Sequence, residues 1–222
     1  MTTTYENIIE QVLQSPNPQA IVKKVNETLE AEHQRRIQFY NDIDDDVKAE
    51  FINGEIVIHS PVKKRHTNAA GRLYKLISTY VERFRLGFVG YEKTMIECTR
   101  NSYEPDVCYF DNEKSQHFDD DQSIYPPADL TVEVLSKGTT KNDRGIKFED
   151  YADSQIREYW IIDPIKETVE QYRLDETGTY ELLLKSGEGR IKCEVVEGFE
   201  IPIRAIFDAE ENLKVLGEIL KA

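Results

Sequence analysis

The sequence predicts an α/β fold, preceded by a helical extension and closed by an antiparallel meander, and three observations carry that expectation. Between residues 49 and 163 the apolar positions switch repeatedly between a spacing of two and a spacing of three to four, the pattern of strands alternating with amphipathic helices. The stripe Ala69, Leu73, Leu76, Ile77, Tyr80, Val81 and Phe84 lies along one side of a helix of about twenty residues and needs a sheet to cover it. Beyond Pro164, strand candidates follow one another across Gly-containing turns, as in a meander. At 222 residues and 25.8 kDa the chain is long enough to enclose its core without disulfides or structural metal.

Residues 1–46 read as a polar helical extension. Residues 5–13 are periodic, Ser15-Pro16-Asn17-Pro18 breaks the pattern, and Ile21, Val25 and Leu29 space a second helix. The acidic cluster Asp42, Asp44, Asp45 and Asp46 reads as a solvated loop without a function of its own. The main domain, residues 47–222, opens on a hairpin, because Asn53-Gly54 separates two β-prone runs and tolerates the positive φ angles of a two-residue turn. The long helix follows Ser60-Pro61, then strand-like runs at 88–96, 105–110 and 130–135, a polar helix over about 142–154, and a strand at 159–163. Candidates at 168–174, 180–185 and 190–196 make the meander, and a last helix carries Leu213, Leu216, Ile219 and Leu220 on one face.

Composition excludes several classes. No apolar run approaches the ~18 residues of a membrane helix, and the first ten residues lack the basic start and apolar middle of a signal peptide. Cys98, Cys108 and Cys193 are an odd, widely spaced set with no Cys-x-x-Cys, which argues against a disulfide framework and a thiolate zinc site. A reducing cytoplasm is the expected compartment. The 28 basic and 42 acidic residues leave a net charge of −14, a field that repels polyanions and equally suits a protein holding a divalent cation.

Chemistry is expected where acids interrupt apolar strands. In Pro105-Asp106-Val107-Cys108-Tyr109-Phe110 a period of two puts Asp106 on the face of Cys108 and Phe110. Glu133 stands among Leu130, Val132, Val134 and Leu135. A carboxylate buried alone is costly unless it binds a cation, pairs with a base or keeps its proton. On position alone Glu133 is either half of a structural ion pair or a functional acid, and Asp106, after Pro105, also suits a turn or cap. Two such acids on neighbouring strands invite a divalent ion between them. Lys137, Lys141, Arg144 and Lys147 follow, with Asn142 or Asp143 able to cap the helix that holds the last two. On that helix Phe148, Tyr151 and Ala152 make the buried stripe, and Lys147 neighbours Tyr151 at a spacing of four. Lys147 either leans over that stripe toward Glu133 or is an ordinary solvated lysine.

The ordered set Glu104-Pro105-Asp106, Asp129-Leu130-Thr131-Val132-Glu133-Val134-Leu135-Ser136, Asp143-Arg144-Gly145-Ile146-Lys147-Phe148-Glu149-Asp150-Tyr151 and Glu158-Tyr159-Trp160-Ile161-Ile162-Asp163-Pro164 resembles the Uma-type putative restriction endonuclease family of the PD-(D/E)XK nuclease superfamily. The stretch from Gly54-Glu55-Ile56-Val57 through Ser60-Pro61 to His66 resembles it too. The resemblance implies a restriction-endonuclease-like core, a mixed central sheet flanked by helices with metal carboxylates on adjacent strands. By similarity Asp106 and Glu133 are ligands of Mg²⁺ or Mn²⁺, with the backbone carbonyl of Val134 as a further ligand. The superfamily's lysine two residues after the acid is replaced here by Leu135, and the matching lysine is Lys147 on the following helix. Glu55 matches a position that would extend the metal site. His66 matches one that contacts phosphate or simply starts the long helix, and Tyr151 and Ser136 are candidates for positioning substrate.

The function so implied is Mg²⁺-dependent hydrolysis of DNA phosphodiester bonds. A hard, oxygen-liganded cation activates water and offsets phosphate charge, and a lysine adds fixed positive charge at the transition state. A homodimer would suit the cutting of two antiparallel strands. The net charge opposes DNA binding, while Lys63, Lys64, Arg65, His66 and Arg72 form a local basic patch, a place for the phosphate backbone or a solvated cluster. Leu135 and the acidic surface support a second expectation, a catalytically silent nuclease fold used for binding or assembly.

Overall fold

A computed structural model describes residues 2–43 and 47–222, so Asp44, Asp45 and Asp46, and with them most of the acidic loop, lie outside the described residues. The extension is two helices, α1 (Thr2–Leu13) and α2 (Pro18–Asp42). The Asn17 side chain accepts the Ala20 N–H at 3.1 Å and caps α2. Ile21, Val25 and Leu29 are exposed on α2, whereas Glu32, Arg36 and Phe39 near its C-terminal end are buried. Arg36 donates to the Cys98 carbonyl at 3.0 Å, and Glu32 takes a two-pronged bond from Arg100 at 2.8 and 2.9 Å. These bonds tie α2 to the body of the protein.

The hairpin forms as expected from β1 (Ala49–Ile52) and β2 (Glu55–Ile58), with Asn53 at φ 51° and Gly54 at φ 82°. It belongs to a smaller five-stranded sheet in the order β2-β1-β5-β4-β7, with β4 (Met95–Glu97), β5 (Ser102–Tyr103) and β7 (Ile124–Tyr125). Helix α3 (Lys64–Phe84) follows the hairpin and leads to β3 (Gly87–Tyr91). Residues 88–96 are therefore not one strand. Glu92 turns at φ 54° and gives its N–H to the Asp106 carbonyl at 3.1 Å, so the chain leaves one sheet after β3 and enters the other at β4.

The main sheet has the order β11-β10-β9-β8-β6-β3, with β6 (Val107–Asp111), β8 (Leu130–Val134), β9 (Glu158–Asp163), β10 (Thr168–Leu174) and β11 (Tyr180–Ser186). It is mixed: β8 and β9 are parallel and the other pairs antiparallel. Between β6 and β7 lies the short α4 (Asn112–Ser115). The polar helix expected at 142–154 is two, α5 (Thr140–Asp143) and α6 (Ile146–Asp153), broken at Gly145. Neither Asn142 nor Asp143 caps α6, which starts from Gly145 without a side-chain cap. The meander ends at β11. The candidate at 190–196 gives only β12 (Arg190–Lys192), which pairs with β13 (Glu200–Pro202) in a separate ribbon. The Glu158 carboxylate takes the N–H groups of Glu194 and Val195 at 2.7 and 3.1 Å, which draws the segment after β12 out of any ladder.

Alternation along the strands splits the core. Val107, Tyr109, Val132, Val134, Trp160 and Ile162 face α3, whose Ala69, Leu73, Leu76, Ile77 and Val81 are buried against them. Phe84, included in that stripe by its spacing, lies past the sheet and is exposed. Cys108, Phe110, Tyr159 and Ile161 face the other way, toward Tyr151 and Ala152 of α6 and toward Ile52, Ile96 and Tyr103 of the smaller sheet. After α7 (Arg204–Phe207), α8 (Ala209–Ile219) closes the chain. It buries Asn212, Val215 and Ile219, while Leu213 and Leu220 are exposed. The helix is turned from the expected face because Asn212 bonds the carbonyls of Arg72 and Ala205 at 3.1 and 2.9 Å. Among the described residues no helix is long and apolar enough to cross a membrane.

Candidate active site

The same alternation that builds the core aims the acids. Val107 opposes Val132 in the antiparallel pair of β6 and β8, so the register carried one residue further sets Asp106 across from Glu133. Glu133 shares its face of β8 with Thr131 and points toward α6. Both acids line a cleft of about 630 Å³ together with Lys48, His59, His66, Val134 and Lys147. Each is only 4% exposed.

Lys147, fully withdrawn from water, is the hub of one half of the site. Its Nζ lies 2.7 Å from Glu50 Oε1, 2.9 Å from Glu133 Oε1 and 3.7 Å from Asp143 Oδ1. The break at Gly145 sets the start of α6 so that Lys147, one turn before Tyr151, reaches over the sheet. Tyr151 donates to the same Glu133 oxygen at 2.7 Å. Behind Glu50, His59 Nε2 stands 3.0 Å from Oε2, and the Glu104 N–H reaches Oε1 at 3.1 Å.

Asp106 is the hub of the other half. Its Oδ1 lies 3.2 Å from Lys48 Nζ, and its Oδ2 lies 3.2 Å from His66 Nε2 and accepts the Val134 N–H at 2.8 Å. Val134 therefore binds the aspartate through its N–H, at the end of β8 where its carbonyl was expected to serve a metal.

Charge balance sets the protonation states. Burial pushes the Lys147 amine down, but Glu133, Glu50 and Asp143 outweigh it and hold the amine well above its usual range. Burial pushes Glu50 up, yet Lys147 and His59 bring its carboxyl down to about 2. Glu133 goes the other way. Burial, with the charges of Asp143, Asp106 and Glu50, outweighs Lys147 and raises it to about 8. Asp143 rises to about 6, chiefly through burial, and neither of its oxygens completes a hydrogen bond. Burial also raises Glu104 to about 7. Asp106 stays well below the usual carboxylate range because His66, Lys48 and the Val134 N–H outweigh its burial.

Five carboxyl groups thus face two lysines and two histidines, and burial holds three of the five toward the neutral form. A divalent cation meets such a deficit of positive charge. The donors are hard oxygens, and the bonds from Lys147 and Tyr151 both fall on Glu133 Oε1, which leaves Oε2 without a hydrogen bond among the described residues. Among the described residues no three His, Cys, Asp or Glu side chains form a metal cage by themselves. Mg²⁺ needs none, since it keeps several waters and takes one or two carboxylates. The residues fit a hard divalent ion of that kind.

The structure brings together Asp106, Glu133, Val134, Lys147, His66 and Tyr151 from the sequence expectations. It leaves Glu55 exposed on β2, outside the cleft lining. The acid that the hairpin supplies is Glu50, on the buried strand β1. Its signal was present, an acid between Ala49 and the apolar pair Phe51-Ile52, the same pattern that marked Glu133. Lys48, His59 and Asp143 carried no comparable signal, because only the fold gathers them. Of the basic patch, Lys63, Arg65 and His66 line the cleft, whereas Arg72 is drawn away to the Phe207 carbonyl. Arg144 is engaged by Glu170 at 2.7 Å on both nitrogens.

Among curated proteins nothing matches the chain. Among solved structures it is similar to a crystal structure titled as a putative nuclease belonging to DUF820 from Anabaena variabilis, at 17% identity and a TM-score of 0.65. That likeness covers 80% of this chain and 96% of the other. It supports the nuclease-like fold. The model of the Uma2 family, described as "Putative restriction endonuclease", matches residues 32–204. A match spanning most of the chain, across both sheets and every side chain of the cluster around Lys147, places this protein in the Uma2 family.

Proposed function

We propose that this chain is a Mg²⁺- or Mn²⁺-dependent DNA endonuclease whose reaction centre is the pair Asp106 and Glu133 with Lys147. One observation carries the reading: a fully buried lysine from α6 is held 2.9 Å from the strand acid Glu133, which restores from a helix the amine that Leu135 removes from the strand. Asp106 and Glu133, with the Val134 carbonyl, would hold the cation. Bound there, the cation would activate water for attack on phosphorus and offset the charge growing on the phosphate oxygens.

The other roles belong to the chain's own groups. Lys147 keeps its proton beside three acids and presents a fixed positive charge to the phosphate. Glu50 and Tyr151 hold the amine and its acid partner in register, so neither has to reorganise during the reaction. Lys48 and His66 engage Asp106 in the resting protein, and Lys48, a quarter exposed along its side chain, can turn to a phosphate oxygen when Asp106 takes another partner. Lys63, Arg65 and Lys137 at the cleft meet the phosphate backbone within an otherwise acidic surface.

The test is nicking of supercoiled plasmid in Mg²⁺ and in Mn²⁺, with calorimetric titration of Mn²⁺ alongside. Wild type is expected to nick, and Asp106→Asn and Glu133→Gln to lose about 10²-fold or more in rate while weakening Mn²⁺ binding. DNA left intact in both metals would overturn the reading. If in addition no Mn²⁺ binding is lost in Glu133→Gln, the silent binding or assembly module takes its place.

A further inference from the structure

The depth of the acids limits what can reach them. Asp106 and Glu133 lie at the floor of the cleft with only a few percent of their surface exposed, while a B-form duplex presents its phosphates on a convex, stiff surface. A scissile phosphate reaches such a floor only if the duplex bends or opens locally. The cleft carries a device suited to that. Ile58, Val62 and Ile165 line it and are 69%, 47% and 73% exposed. They come from two stretches of the chain: Ile58 ends β2 and Val62 follows Pro61 four residues on, while Ile165 follows Pro164 in a turn. That turn is pinned by Asp163, whose Oδ1 accepts the N–H groups of Ile165 and Lys166 at 2.9 and 3.0 Å.

Exposed aliphatic tips flanked by cations resemble the apolar wedges with which proteins part stacked bases and kink a duplex. The cations are present, since Lys63 and Arg65 follow Val62 and line the same cleft. Proteins that take single strands use aromatic platforms instead, and no Phe, Tyr or Trp is among the described residues lining this cleft.

We propose that the substrate is duplex DNA opened at one base step by the aliphatic wedge of Ile58, Val62 and Ile165, which lets one phosphate descend to the acids. The inference rests on the nuclease reading above and names its substrate form. The test uses a short duplex that wild type cuts, carrying 2-aminopurine beside the mapped cut, bound in Ca²⁺ so that the strands stay whole. Cutting rates in Mg²⁺ are then compared for the paired duplex, the same duplex with a mismatch at that step, and the single strand.

Wild type is expected to raise the 2-aminopurine fluorescence and to cut duplex faster than single strand. The double variant Ile58→Ser/Ile165→Ser alters only exposed side chains, and equal melting temperatures will verify its fold. It is expected to lose the fluorescence rise and to cut paired duplex at least about tenfold more slowly, because it no longer offsets the cost of unstacking. The mismatched duplex, already unstacked, should be cut at close to the wild-type rate. A wild type that cuts without any fluorescence change, a variant slowed equally on paired and mismatched duplex, or a preference for single strands would overturn the wedge and leave the nuclease reading standing. A wild type that cuts none of the three would remove both.

Discussion

A lysine ammonium taken out of water needs opposite charge within a few ångströms, and removing one partner of such a buried pair costs about 3–5 kcal/mol. Lys147 has Glu50 at 2.7 Å and Glu133 at 2.9 Å, and these two acids respond in opposite ways. Glu50 is braced by His59 and stays ionised, whereas Glu133 is raised to about 8 by burial amid Asp143, Asp106 and Glu50. The cluster thus separates an ionised acid that anchors the amine from one that burial holds toward its neutral form. Glu50→Gln is expected to destabilise the fold by about 3 kcal/mol and to lower kcat about 10²-fold with KM little changed, as loss of positioning does. Combined with Lys147→Met, the stability loss in urea unfolding should fall short of the two single losses together by about 1–3 kcal/mol, because the two side chains share one interaction. Simple additivity would show that Glu50 does not hold Lys147.

At the scale of the element, the break between α5 and α6 decides where the amine goes. Gly145 has φ −118° and ψ −105°, and a Cβ there would meet the Lys141 carbonyl oxygen at 2.7 Å, a backbone atom that cannot swing aside. Gly145→Ala must move the start of α6, and Lys147 is only two residues on. We expect a loss of about 1–3 kcal/mol from the forced contact together with at least a tenfold loss of nicking. The control is Gly217→Ala within α8, where a Cβ meets nothing within 4 Å and the higher helix propensity of alanine should add up to about 1 kcal/mol. Thermal melts and plasmid nicking of both variants check this. Gly145→Ala with wild-type nicking would show that the break does not position the lysine.

For the whole molecule the buried acids set the pH at which the metal-free fold is strongest. Glu133, Glu104 and Asp143 have folded values raised to about 8, 7 and 6. The folded state therefore holds protons that the unfolded state has already released, and stability falls as pH rises through that range. Glu50, lowered to about 2, and Asp106, also lowered, act in the opposite sense. The unfolded chain takes up their protons first as pH drops below the ordinary carboxylate range, so stability is lost toward pH 2. In a chelating buffer the melting temperature should be highest near pH 5 and fall by several degrees toward pH 8. A curve that climbs steadily from pH 5 to pH 8 would contradict the shared charge deficit at the cleft. On the proposed reading the same deficit reconciles a net charge of −14 with a phosphate-handling site: the acids would gather around a cation, and the cleft also carries Lys63, Arg65 and Lys137.

What the sequence by itself determined is everything that depends on neighbours along the chain. Period two and period three to four set the strands and helices, Asn53-Gly54 set its hairpin, and acids within apolar runs marked Asp106 and Glu133, which the register of β6 and β8 sets across from one another. The same rule marked Glu50 as clearly, although the family resemblance pointed to Glu55 instead. The split of residues 88–96 between two sheets, the departure of residues 193–195 from the meander and the turn of α8 about its axis were decided by bonds to Asp106, Glu158 and Asn212, distant in sequence from most of their partners. The cleft was decided in the same way. Lys48, His59 and Asp143 are unremarkable polar residues in order along the chain, and they became part of a site because burial removed water from around charges that tertiary packing had brought within reach of one another.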